Sequence, residues 1–148
     1  MNLTKNFTFE ELCHSATAES KGIKNVPETK VKEAMVRDNL TALCEHVLQP
    51  LRDHLGKEVF INSGFRTAIV NRMVGGKVTS QHLWGEAADI RIESAAQGCQ
   101  WAKWIMDNCR FDQMLLERSG DAVWLHVSHK LTDHLNRQQF KQLVIINK

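Results

Sequence analysis

The run Ser80-Gln81-His82-Leu83-Trp84-Gly85-Glu86-Ala87-Ala88-Asp89 sets two potential metal ligands, His82 and Asp89, on either side of a glycine. Gly85 is a natural place for the chain to turn. Beyond it, Ala87 to Ile92 reads as a strand in which Asp89 and Arg91 alternate with Ala88, Ile90 and Ile92. A histidine in a loop and an aspartate on the strand that follows can reach one point in space. The best third partner is His126, inside Val123-Trp124-Leu125-His126-Val127-Ser128. Two imidazoles and one carboxylate suit zinc and leave one coordination position open to water. One Zn2+ held by His82, Asp89 and His126 is therefore the expected cofactor, and such an ion can polarise a peptide carbonyl.

The pattern formed by Ser80, His82, Gly85, Ala87 and Asp89 resembles the zinc D-Ala-D-Ala carboxypeptidase family of peptidases, peptidase family M15. This family also includes phage endolysins that cut peptidoglycan stem peptides. Ser63-Gly64-Phe65-Arg66, Val74-Gly75-Gly76 and Trp124-Leu125-His126-Val127 extend the resemblance from about Phe7 to Ser128, in the branch with a compact C-terminal catalytic domain. It implies a zinc peptidase acting on peptidoglycan peptides, as a D-Ala-D-Ala carboxypeptidase or an endolysin-type endopeptidase. It also implies that Arg66 sits in the site, where a fixed guanidinium can bind a substrate carboxylate or stabilise an oxyanion. Ser80 can bond substrate or simply hold its loop. Relatives often carry an acidic residue three positions before the last histidine ligand; here that position is Val123, which cannot serve as a base. The remaining acids nearby are Glu117, Asp121 and Glu86. If Ser119-Gly120-Asp121 turns two strands back on each other with Arg118 opposite Val123, Leu115 faces His126 and Glu117 faces Trp124. Glu117 then shares a sheet face with His126 and is the expected general base. Asp121 belongs to the turn. The competing reading is a zinc-holding module on the same scaffold, binding wall peptide or serving as a phage structural part without cleaving.

These residues need elements to position them. Thr8 and Glu11 form a capping box for a helix expected over 9–20. After Pro27, Val36, Leu40, Leu43, Val47 and Leu51 make one apolar stripe, the main pillar of the core, with Pro50 as a stop or kink. A strand over 58–63 and a short helix over 67–74 precede the central motif. Ser94 caps a second long helix, striped by Ala95, Cys99, Ala102, Met106 and Cys109. Two strands, 112–117 and 123–129, and a last one near 140–146 complete an α+β fold: a small antiparallel sheet packed with helices, zinc at the sheet face, in one domain over 1–148.

The net charge of +2 is too small to argue for nucleic acid, and no apolar run approaches a membrane span. A peptidoglycan peptide is the expected partner, and a monomer the expected state. Met1 to Asn6 lacks an apolar signal core, so the expectation is accumulation in the cytoplasm and action on the wall after lysis or assisted release. Cys13, Cys44, Cys99 and Cys109 form no C-x-x-C pair, and Cys99 and Cys109 lie ~15 Å apart along one helix, too far for a disulfide. They read as buried free thiols. His129 falls on the other face of the His126 strand, and His14, His46, His54 and His134 have no metal spacing.

Overall fold

The computed structural model describes residues 1–146. A short hairpin of β1 (Asn2–Thr4) and β2 (Phe7–Thr8) leads into α1 (Phe9–Leu12). Thr8 caps α1 as its spacing predicts, accepting the Glu11 amide at 3.0 Å. The single helix expected over 9–20 is instead two. The chain leaves α1 at Cys13, and the Ser15 hydroxyl accepts the Ala18 amide at 3.1 Å to start α2 (Ala16–Lys21). A serine side chain that satisfies a free amide competes with helix continuation, and no apolar stripe runs on past Leu12 to oppose it.

The pillar is α3 (Lys30–Leu43), a π turn over Cys44–Leu48, and α4 (Gln49–Leu55). Pro50 cannot donate to a preceding carbonyl, and its ring crowds the turn before it. The π turn just ahead of it widens the helix, so the apolar stripe passes through without a break. Val36, Leu40, Leu43, Val47 and Leu51 are all fully buried.

The rest of the chain builds β3 (Ile61–Ser63), α5 (Ala68–Met73), a 3-10 turn over Gln81–Trp84, β4 (Ala87–Arg91), α6 (Ala95–Asn108), β5 (Gln113–Ser119), β6 (Ala122–Ser128) and β7 (Gln139–Ile145). Ser94 caps α6 by accepting the Gln97 amide. The α+β architecture matches the expectation. The sheet runs β3-β4-β6-β5-β7, antiparallel through its first four strands, with β7 added parallel to β5, which makes it mixed. Arg118 pairs with Val123, Leu115 with His126 and Glu117 with Trp124, the register that the turn and the alternation predict.

Ala88, Ile90, Met114, Leu116, Leu125 and Val127 are buried in the same core as the helices. Gly98 lets α6 lie close on the sheet: a Cβ there would fall 2.7 Å from both Ile92 Cδ1 and Leu116 Cδ1. The four cysteines are free, with Cys13, Cys44 and Cys109 buried. Burial pushes the Cys13 thiol up to about 12 and the Cys109 thiol to about 11, so neither is a ready nucleophile.

Candidate metal centre and its cleft

His82 sits on the 3-10 turn, Asp89 on β4 and His126 on β6, with Asp89 directly opposite His126 in the ladder. Ser80 caps the turn, its hydroxyl accepting the His82 amide at 3.2 Å. Gly85 ends the turn in the left-handed region at φ 74°, and a side chain there would also strike the Val36 carbonyl oxygen, 2.9 Å from the Cβ position. The chain can therefore reverse from His82 into β4 only with glycine at this point.

One donor atom from each of the three residues lies within 4.8 Å of the others, and all three residues are buried. His82 Nε2 is 3.3 Å from Asp89 Oδ1, and His126 Nδ1 is 2.9 Å from the same oxygen. Tetrahedral zinc with bonds of about 2.0–2.1 Å has donor-to-donor edges of about 3.3 Å, so the cluster has the right size. The second nitrogen of His82, Nδ1, lies 2.6 Å from the Gly64 carbonyl. A carbonyl only accepts, so Nδ1 carries the proton and leaves Nε2 as the atom that would ligate a metal ion. Burial pushes the His82 imidazole down, toward the neutral form a ligand must have. Burial alone would raise the Asp89 carboxyl, but His82 and His126 against it hold it well below the usual carboxylate range. His126 moves the other way: burial is the largest influence and opposes its charge, but the hydrogen bond to Asp89 and the negative charges of Asp89 and Glu117 together outweigh it. The donor set fits a single zinc ion.

Arg66 lies beside this cluster. Its Nη2 is 3.4 Å from Asp89 Oδ2, while Nε donates to Ser63 Oγ and Nη1 to Asn71 Oδ1, each at 3.0 Å. The sequence around Arg66 shows no acidic neighbour; the fold supplies one. Asn71, nearly fully buried, fixes the guanidinium and also donates to the Lys77 carbonyl at 2.9 Å. A Cβ on Gly76 would come within 2.1 Å of Asn71 Oδ1 and 2.8 Å of Arg66 Nη1, so this glycine is required by the pair. Sequence reasoning placed Asn71 only as a helix residue. Its role depends on the loop folding back, which no local pattern announces.

Glu117 stands on β5 with Oε1 3.8 Å from His126 Nδ1, and it accepts a 2.9 Å hydrogen bond from Trp124 Nε1. Burial raises its pKa. Asp121 is exposed in the β5–β6 turn, away from the cluster. Glu86 is partly buried and is held at its backbone by His129, whose amide donates to the Glu86 carbonyl. Val123, opposite Arg118, packs against the core. His129 lies past the end of β6, buried and stacked on His46 with ring centroids 4.7 Å apart. His14 bonds Glu19, and His54 stacks on Trp104.

The cluster opens into a cleft of about 890 Å³, lined by Arg66, Ser80, Glu117 and Trp124 among others. Its far wall comes from the C-terminal strand. A buried carboxylate absent from the sequence reading, Asp112, ties the two sides together. It accepts from Gln81 Nε2 at 3.1 Å, next to His82, and from Arg137 Nε and Nη2 at 3.0 Å each.

Comparison with known proteins agrees with this arrangement. The family model described as Peptidase M15 matches residues 5–128. The zinc D-Ala-D-Ala carboxypeptidase of Streptomyces albus G is 36% identical over 86 residues, which is 57% of this chain and 31% of that protein. The chain thus aligns with about a third of the relative's length. With the match to the family model covering more than half of the sequence, the chain belongs to peptidase family M15.

Proposed function

We propose that this protein is a zinc-dependent peptidase that hydrolyses peptidoglycan stem peptides. The observation that carries the reading is a single open cleft that gathers a buried His82-Asp89-His126 donor set, the largely buried Glu117 carboxylate and a fixed Arg66 guanidinium. A zinc ion held by these three residues supplies Lewis acidity, polarising a peptide carbonyl and acidifying water. Glu117 takes the proton from the attacking water and delivers it to the leaving amine. Desolvation raises its pKa toward the working range of a general base, and the Trp124 indole orients one of its oxygens. Arg66, held on three sides by Asp89, Ser63 and Asn71, presents positive charge to a substrate carboxylate or a developing oxyanion. Ser80 holds the turn and positions His82.

The relative's name supports a D-Ala-D-Ala carboxypeptidase. The cleft, open and about 890 Å³, is also compatible with an endopeptidase of the endolysin kind. Mass spectrometry of muropeptides before and after digestion tests both. Loss of one terminal alanine identifies the carboxypeptidase, and separation of the stem into two peptides identifies the endopeptidase. Unchanged muropeptides with zinc-loaded protein contradict the enzyme and leave the binding module.

A further inference from the structure

The family match ends at residue 128, but the chain continues into β7, which builds the wall beside Glu117. At its start β7 stays in step with β5: Gln139 pairs with Gln113, Phe140 with Met114 and Lys141 with Leu115. The register then shifts, so that Val144 pairs with Glu117. Gln142 and Leu143 together face Leu116, a bulge in the parallel ladder. Leu143 takes φ 56° to make it, a left-handed conformation uncommon for leucine. Without the shift, Leu143 would stand beside Glu117 and Val144 would lie on the other face. With it, Val144 and Ile146, two residues apart, share the face of Glu117 and line the cleft. Ile146 remains bound to the ladder, its amide donating to the Arg118 carbonyl at 2.7 Å.

This wall is anchored. The Arg137 backbone amide donates to Asp112 Oδ1 at 2.9 Å, in addition to the guanidinium clamp. Because Gln81 shares that carboxylate, the approach to β7 is fixed to the turn that carries His82. An apolar surface held next to the carboxylate proposed as the base, in a cleft that Leu115 and Trp124 also line, gains free energy from apolar atoms brought against it. We propose that Val144 and Ile146 form a subsite for an aliphatic side chain of the substrate peptide on the Glu117 side of the metal centre, so that the C-terminal strand sets sequence preference. This rests on the peptidase reading above.

The test uses the zinc-loaded full chain and three peptides: one with alanine on both sides of the cleaved bond, and two in which one or the other alanine is glycine. At one of these positions the wild type should favour alanine about tenfold in kcat/KM, the typical discrimination of a pocket that holds one extra carbon group. In Val144→Ser/Ile146→Ser that preference should fall below about twofold, while any preference at the other position persists. Val144→Thr, nearly unchanged in shape, covers the case in which the double variant folds poorly, and should weaken the same preference. Undiminished preference in folded variants overturns the proposal. Calorimetric Kd values for the same peptides separate it from the peptidase reading. If nothing is cleaved but Kd shows the alanine preference and the variants lose it, hydrolysis is refuted and the subsite stands. Equal Kd for all three peptides, or no binding, overturns the subsite.

Discussion

Three adjacent rows of residues cross the same three strands and alternate in character. Ile90, Leu125 and Leu116 pair across β4, β6 and β5 and are buried against the helices. One step along, Asp89, His126 and Leu115 pair across the same strands on the open face, and a step to the other side come Arg91, Trp124 and Glu117. Because side chains alternate with period two, a slip of one residue would exchange the faces. The apolar row therefore does more than supply stability: it fixes the register that brings Asp89 opposite His126 and Glu117 next to both. The open face concentrates partly desolvated charge, which disfavours folding on its own, and the packed face offsets that cost.

Changes on the two faces should separate cleanly. The largest expected effect is on the open face. Glu117→Gln keeps an acceptor for the Trp124 indole but removes the proposed base, and should slow peptide hydrolysis by ~10²–10⁴-fold with metal content unchanged. Arg66→Ala should lower kcat/KM by ~10²–10³-fold, as for other losses of a charge-stabilising donor. Since the guanidinium also holds Ser63 and Asn71, a small fall in Tm should accompany it. On the packed face, Leu116→Ala should cost about 2–5 kcal/mol in denaturant unfolding. Below its melting temperature this variant should still bind zinc in full. Metal loss in folded Leu116→Ala, or unfolding of Glu117→Gln, would show that the faces are not independent.

The smallest effect concerns a residue on neither face. Burial, and then His46 nearby, push His129 down to about 4 from an ordinary 6.5. As pH falls, the unfolded chain takes up this proton first, so stability is full above 6.5 and declines through the window from 6.5 to 4. Denaturant midpoints measured at pH 7 and pH 4.5 should differ less in His129→Phe than in wild type.

The antiparallel part of the site was legible because each signal is local. Alternation in β4 to β6 and the Ser119-Gly120-Asp121 turn suffice to pair Glu117 with Trp124, even though Val123 occupies the position where an acidic residue is usual. The ligand spacing around Gly85 is likewise contained in ten residues. What escaped the sequence is long-range. Asn71 reaches Arg66 only because the loop through Gly76 folds back, and Asp112 meets Gln81 and Arg137 from three separate segments. The strand at 140–146 was visible in its apolar run, but its parallel pairing and its bulge form against β5, a segment distant in sequence. The first helix was overextended because the capping serine at Ser15 competes with a pattern that is weakly apolar beyond Leu12.

The central claim is that His82, Asp89 and His126 act as one zinc-binding unit on the open face. Elemental analysis of protein purified without added metal, side by side with folded His82→Ala, tests it most directly. One zinc per wild-type chain and little or none in the variant is the expected result; full zinc occupancy in His82→Ala, or metal-free wild type that takes up no zinc on titration, would contradict it.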